Sequence, residues 1–191
     1  MKAGKGDLSY ALKLLASGQS IETVWGEAGF SSRKALAEEI YGLAAKASSK
    51  PLSVIAYSDG ASLGNPGDAG CGAVIMDESG DVLLEDHRFL GRTTNNVAEY
   101  EGAILALKMA SEIGARQVEL RLDSSLVVNQ INGGYRVKSR TLAGLYKSLK
   151  EMAEHFDRFN VTLVRRRDNK RADSLANLAI AAHKGGGSET G

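Results

Sequence analysis

Four acidic residues are candidates for catalysis, because each stands where a predicted strand or helix meets one edge of a predicted sheet. Asp59 and Asp123 follow apolar strand segments, and Glu99 and Asp173 lie early in helical segments. Carboxylates gathered in one pocket repel one another unless cations neutralise them, and oxygen-only ligand sets favour Mg²⁺ or Mn²⁺. Two such ions ~3.5–4 Å apart activate a water and stabilise the leaving oxygen in phosphodiester cleavage. The predicted chemistry is therefore metal-assisted hydrolysis with two ions and no side-chain nucleophile.

The order of the predicted elements explains why these acids should converge. An antiparallel meander of three strands is followed by alternating helices and strands, in the order βββαβαβα. This order predicts an α/β fold, a mixed five-stranded sheet flanked by helices. The strands are predicted at 54–58, 72–76, 82–89, 118–122 and 161–165, and the helices at 96–113, 124–131, 141–156 and 169–183.

Strand direction then brings the acids to one rim. Antiparallel hairpins and right-handed crossovers give four of the five strands the same orientation. Asp59 and Asp123 are expected at the carboxyl ends of neighbouring strands, ~4.8 Å apart, where open α/β sheets place ligands. Glu99 and Asp173 lie on helix faces lined by small residues, which allow close approach to the sheet. Any one acid could instead cap a turn or face solvent, but four at one rim favour a site.

Composition excludes several other classes of protein. The 191 residues are 43% hydrophobic, with Lys+Arg 24 against Asp+Glu 23. This near-neutral charge means that attraction to a polyanion must come from local patches. The one cysteine, Cys71, and three scattered histidines exclude an intrachain disulfide and argue against a Cys/His zinc site. With neither a leader-like amino terminus nor an apolar run of ~18 residues, the sequence predicts a cytoplasmic protein without membrane contact.

A change in composition at 45–53, AKASSKPLS, indicates a linker between two domains. We predict a small helical domain at 1–48, a linker at 49–53, a catalytic domain at 54–184 and a flexible tail at 185–191.

The amino-terminal segment has apolar residues at helical spacing, which predicts a bundle of three helices. Residues 21–40 resemble a helix-turn-helix, with Gly29 at the turn and Ala28 and Phe30 packing the helix pair. Trp25 stands where such motifs have a small residue, and acids accompany the basic residues of the second helix. We therefore expect weak nucleic-acid or protein contact, or a structural role, rather than sequence-specific DNA reading. The apolar positions are Leu8, Leu12, Leu15, Leu36, Ile40 and Leu43.

The segments that carry the acids resemble type 1 ribonuclease H over residues 53–182. This resemblance implies hydrolysis of the RNA strand of RNA·DNA hybrids, with Asp59, Glu99, Asp123 and Asp173 as the metal-binding catalytic set. The matching segments are YSDGASLGNPG (57–67), TTNNVAEYEGAI (93–104), LDSSLVVNQI (122–131) and DNKRADSLANLA (168–179).

The same resemblance implies how the substrate is held. Asn65, Asn95 and Asn96 match positions that read the hybrid from its minor groove, where ribose 2′-hydroxyls distinguish RNA from DNA. Arg92 and Thr94 match a pocket that grips a phosphate of the DNA strand.

Two departures from the family pattern concern turnover and affinity. The loop at 165–168, RRRD, lacks the histidine that many bacterial members carry before the final aspartate, and the basic segment at 133–140 is short. Hybrid affinity is then expected from the amino-terminal domain or from a basic cluster of Arg165, Arg166, Arg167, Lys170 and Arg171.

Two other functions stay open. One is a nucleic-acid-binding regulator whose second domain only binds a ligand, against which the presence of all four acids argues. The other is a nuclease of the same fold that acts on DNA, against which Asn95 and Asn96 argue.

Overall fold

The computed structural model describes residues 6–47 and 51–186. Within these ranges the chain forms seven α-helices, five strands and a short 3₁₀ turn at Arg166–Asp168. The helices are α1 (Leu8–Ala16), α2 (Ile21–Glu27), α3 (Arg33–Ala47), α4 (Asn95–Glu112), α5 (Ser125–Ile131), α6 (Arg140–Ala153) and α7 (Lys170–Gly186). The strands are β1 (Ser53–Gly64), β2 (Gly67–Met76), β3 (Val82–Thr93), β4 (Gln117–Leu122) and β5 (Arg158–Leu163). No helix in the described ranges is long and apolar enough to cross a membrane.

The chain divides into two compact units, and the second begins at Ser53. The first unit contains α1, α2 and α3, and the second contains the sheet with the remaining helices. Of the predicted linker, residues 49 and 50 lie outside the described part of the chain, as do residues 187–191 of the predicted tail. Gly185 and Gly186 belong to α7, so the helix extends two residues into the segment predicted to be a tail.

The first unit is a bundle of three helices around a small apolar core, as predicted. Ala28 and Phe30 are buried there, and Gly29 between α2 and α3 has a φ of +77°, a left-handed conformation that favours glycine. Two predicted core residues are on the surface, because Leu12 is 37% exposed and Leu43 is 48% exposed. In α1 the core face passes through Ala11, and Leu12 is turned about 100° away from it.

The sheet has the order β3-β2-β1-β4-β5. The first three strands are antiparallel neighbours, and β1, β4 and β5 are parallel, as the element order predicted. β5 begins earlier than predicted, since it pairs with β4 residue by residue from Gln117–Arg158 to Leu122–Leu163.

β1 is longer than predicted, which changes the position of Asp59. The strand continues past Ser58 to Gly64, and Asp59 pairs with Gly72 of β2. Asp59 therefore lies inside β1 rather than at its carboxyl end. The cause is the hairpin partner, because β2 pairs with the polar segment of β1 as far as Gly64–Gly67.

Two glycines bring helices close to β1 and β2. A Cβ atom at Gly60 would lie 2.1 Å from the backbone carbon of Ala98 and 2.2 Å from the nitrogen of Glu99, both in α4. A Cβ atom at Gly72 would lie 2.6 Å from the backbone oxygen of Ala172 in α7. Gly60 and Gly72 are one position out of step in the β1–β2 register, so α4 and α7 cover opposite faces of the sheet.

Candidate active site

The four predicted acids come from four different elements of the second unit. The parallel register pairs Tyr57 of β1 with Arg121 of β4. Asp59 and Asp123 each follow two residues after these partners. Glu99 lies in the second turn of α4 and Asp173 in the first turn of α7. Since Asp59 and Asp123 belong to neighbouring strands, they are brought together by the sheet itself.

The close packing of α4 on β1 positions Glu99 relative to Asp59. A Cβ atom at Gly102 would lie 2.6 Å from the backbone oxygen of Asp59, so glycine is needed here for the same reason as at Gly60. The backbone of α4 therefore packs directly on β1 at two points, Gly60 and Gly102, which lie next to Asp59 and Glu99.

The ionisation of Asp59 shows that the four acids act on one another. Burial raises the pKa of Asp59 to about 8, and the negative charge of Asp123 adds to this shift. Asp173 and Glu99 raise the pKa of Asp59 further, whereas a hydrogen bond from the Gly60 backbone opposes the shift. Burial also raises the pKa of Glu99, against hydrogen bonds that lower it. The rim is therefore a region of concentrated negative charge.

Three of the carboxylates are each held by a side-chain donor of their own. Glu99 accepts hydrogen bonds from Asn95 Nδ2 at 2.9 Å and from the Ser124 hydroxyl. The donors to the other two carboxylates lie between β5 and α7. Asn169 Nδ2 donates to Asp123 Oδ1 at 3.1 Å, and an Arg166 guanidinium nitrogen donates to Asp173 Oδ1 at 3.1 Å.

The donor chemistry of the site fits hard divalent cations, because all four side chains are carboxylates. Over residues 6–47 and 51–186, however, no three histidine, cysteine, aspartate or glutamate side chains are grouped closely enough to hold one ion. Glu99, Asp123 and Asp173 each accept a hydrogen bond from a different donor side chain. The residues that could hold a cation are the four acids.

The predicted substrate-binding residues lie at the end of β3, around the start of α4 and in the β1–β2 hairpin. Asn65 Oδ1 accepts a hydrogen bond from the backbone nitrogen of Asn95 at 3.2 Å, which links the hairpin to the helix. Thr94 Oγ1 accepts from the backbone nitrogen of Val97 at 3.4 Å, as a residue before a helix commonly does. Arg92 and Asn96 are exposed. The structure thus joins Asn65 and Asn95 beside Glu99 and leaves Arg92 and Asn96 open to a ligand.

Sequence reasoning missed two residues of the site. Asn169 is 1% exposed, and its Nδ2 also donates to the Ser58 backbone oxygen at 3.0 Å, so it ties Asp123 to β1. Its Oδ1 has no hydrogen-bond partner among the described residues. Ser124 caps α5 by accepting from the Val127 nitrogen at 3.4 Å while it donates to Glu99. A serine before an apolar helical run signals such a cap, whereas no sequence pattern signals the burial of Asn169.

Comparison with known proteins identifies relatives of this chain. Residues 57–179 match the family described as reverse transcriptase-like. Ribonuclease HI of Halobacterium salinarum is 42% identical over 127 residues, which are 66% of this chain and 64% of that protein. The bifunctional protein Rv2228c of Mycobacterium tuberculosis is 43% identical over 132 residues, which are 69% of this chain but 36% of that protein. The chain therefore spans about a third of the length of this Mycobacterium relative.

A solved structure shows the same fold in the second unit. The crystal structure of LC11-RNase H1 in complex with RNA/DNA hybrid has a TM-score of 0.67 and 39% sequence identity. The similarity covers 69% of this chain and 99% of that chain. The five-stranded sheet with its flanking helices is thus the complete fold of that protein.

Proposed function

The chain belongs to the ribonuclease H family, and we propose that it hydrolyses the RNA strand of RNA·DNA hybrids with two divalent metal ions. The observation that carries this proposal is the convergence of Asp59, Glu99, Asp123 and Asp173 on one rim, where burial raises the pKa of Asp59 to about 8 and the negative charges of the other three acids add to that shift. Such mutual repulsion suits a site that binds cations. The relative with known structure was crystallised with an RNA/DNA hybrid, which supports the choice of substrate.

In this mechanism Asp59, Glu99, Asp123 and Asp173 would hold Mg²⁺ or Mn²⁺. Such ions, when bound, would supply the positive charge that activates a water and stabilises the leaving oxygen. The protein supplies position. Asn95 and Ser124 orient the Glu99 carboxylate, and Asn169 fixes Asp123 relative to the backbone of β1. Outer partners of this kind influence metal affinity and activity by about 10–100-fold.

The two strands of the hybrid are read by different residues. Asn65, Asn95 and Asn96 face the minor groove, where the 2′-hydroxyls of the RNA strand distinguish it from DNA. Arg92 and Thr94 hold a phosphate of the DNA strand, a role that suits an exposed guanidinium beside a hydroxyl. A deoxyribose in the cut strand would leave hydroxyl-binding groups unpaired, at a cost of roughly 1–3 kcal/mol each.

The role of the amino-terminal unit stays a prediction, as does the cytoplasmic location. Its three-helix bundle offers a surface for weak nucleic-acid or protein contact. All four acids lie beyond it in the sequence, at Asp59 and later. We therefore assign the chemistry to the second unit alone.

The proposed mechanism is tested by Asp123→Asn, which removes one charge at nearly constant volume. Cleavage of a labelled hybrid in Mg²⁺ should fall by more than roughly 100-fold, since losing a ligand costs at least as much as losing an outer partner. Asp81→Asn is the matched control, because Asp81 lies on an exposed turn between β2 and β3. Wild-type cleavage by Asp123→Asn would refute the assignment of this acid to the metal site.

A further inference from the structure

A shallow pocket of about 490 Å³ adjoins the rim where the four acids meet. Its lining includes Asp173, so it opens directly beside the candidate catalytic centre. The other lining residues are Arg166, Arg167, Lys170 and Ser174. None of these four is among the residues assigned above to the strands of the hybrid.

Several basic side chains around this pocket are paired with carboxylates, so their charge is already neutralised. Arg165 Nε lies 3.0 Å from Asp168 Oδ2, and an Arg171 guanidinium nitrogen lies 2.7 Å from Glu85 Oε2. Arg166 is paired with Asp173 at 3.1 Å, and this pair reduces the repulsion that Asp173 would exert on an anion in the pocket.

Arg167 and Lys170 are the cations that remain. Arg167 Nε is 3.9 Å from Asp168 Oδ1, at the outer limit for an ion pair, and that carboxylate is already held by Arg165. Lys170 is exposed and has no carboxylate within ion-pair distance in the described part of the chain. Arg167, whose carboxylate is distant and shared with Arg165, and Lys170, which has none within ion-pair distance among the described residues, therefore line a pocket beside the candidate catalytic rim.

We propose that Arg167 and Lys170 bind a backbone phosphate of the RNA strand close to the bond that is cut. This proposal rests on the hydrolysis proposed above, because it needs the RNA strand to pass over the four acids. Successive phosphates of one strand advance about 3.4 Å along a duplex, so neighbours of the scissile phosphate are the anions nearest to Asp173. A guanidinium and an ammonium together suit the two non-bridging oxygens of a backbone phosphate, which share one negative charge.

The test compares two double variants of the full-length protein that remove equal charge. Arg167→Gln with Lys170→Gln removes the pocket cations, and Arg165→Gln with Arg171→Gln removes two neighbouring cations that are paired with carboxylates. Binding of a short fluorescent hybrid is measured by anisotropy in EDTA at several salt concentrations. The pocket variant should lose about fivefold or more in affinity and about 1 from the magnitude of the salt slope, since one phosphate contact contributes roughly 0.9.

A second measurement identifies the strand. Single phosphates of the hybrid are replaced by uncharged methylphosphonate linkages, first in the RNA strand and then in the DNA strand. One RNA linkage near the cleavage point should weaken binding to the wild type by about fivefold but leave the pocket variant unaffected, because that contact is already lost. Melting curves should show both double variants folded, since exposed ion pairs contribute little to stability.

The outcomes separate this proposal from the one on which it rests. Equal losses in the two double variants would overturn the pocket assignment, and so would coupling to a DNA-strand linkage. In either case cleavage of the hybrid by the wild type would leave the proposed hydrolysis intact. A wild type that neither binds nor cuts the hybrid would overturn both.

Discussion

Asn95 Nδ2 lies 2.9 Å from Glu99 Oε1, one turn further along α4. The sequence predicts that Asn95 contacts the minor groove, and in the structure its side chain also contacts a candidate catalytic acid. The backbone nitrogen of Asn95 is bound by Asn65 Oδ1. Asn95 therefore links the β1–β2 hairpin to a candidate metal-binding acid, so the proposed substrate contacts and the proposed chemistry meet at Asn95.

This relationship predicts different kinetics for two neighbouring asparagines. Asn95→Ala should lower kcat by roughly 10-fold or more, because Glu99 loses an orienting partner. Asn96 is exposed, so Asn96→Ala should raise KM and leave kcat nearly unchanged. Steady-state cleavage of a labelled hybrid in Mg²⁺ measures both constants. An Asn95→Ala variant with unchanged kcat would contradict the orienting role.

Asp59 should make the protein less stable as pH rises in the presence of a chelator. Its pKa is raised from 3.8 to about 8, so the folded protein keeps the proton over a range in which the unfolded chain has lost it. Between about pH 4 and pH 8 the unfolded state is therefore increasingly favoured. Asp59→Asn removes this effect and should raise the melting temperature in EDTA several times more at pH 8 than at pH 5.

Addition of Mg²⁺ supplies the control for this prediction. An ion that binds only the folded state stabilises it, and Asp59→Asn should lose part of that gain. The difference in melting temperature between Asp59→Asn and the wild type should therefore narrow or change sign at pH 8 in Mg²⁺. If the difference in stability between Asp59→Asn and the wild type were the same at both pH values in EDTA, the fold would not raise the pKa of Asp59.

Gly60 is predicted to be essential for the approach of α4 to β1. Gly60→Ala places a Cβ atom 2.1 Å from the Ala98 carbon, so the backbone that carries Glu99 must shift. We expect destabilisation of several kcal/mol, or a folded protein with little activity, as for other severe overpacking. Gly144→Ala is the control, because a Cβ atom there meets nothing within 4 Å in the middle of α6. That variant should be more stable by about 0.5–1 kcal/mol, measured by urea unfolding.

The sequence was sufficient to predict the five-stranded sheet and the strand or helix that positions each of the four acids. Hydrophobic periodicity located every strand and helix of the second unit, and the rules for hairpins and crossovers gave their relative directions. The family resemblance pointed to the same four residues. What these patterns could not reveal was where β1 ends, because residues 59–64 are polar or small apart from Leu63 and pair only with β2.

Contacts between residues that are far apart in the chain also could not be predicted from the sequence. Asn169 reads as an ordinary polar residue before a helix, and its burial arises only when α7 packs beside Ser58 and Asp123. The predicted basic cluster likewise gave no sign of which cations are neutralised. Arg171 is paired with Glu85, which lies 86 residues earlier in the chain, whereas Lys170 next to it is not.

The measurement that tests the central proposal most directly is cleavage of three matched duplexes by the full-length protein. A labelled RNA·DNA hybrid, an RNA duplex and a DNA duplex of one sequence are incubated with Mg²⁺ or with EDTA. We predict cleavage of the RNA strand of the hybrid in Mg²⁺, none in EDTA, and resistance of the DNA duplex, whose strands lack the 2′-hydroxyls that the asparagines read. Cleavage of the hybrid in EDTA, or of the DNA duplex at the rate of the hybrid, would contradict the account.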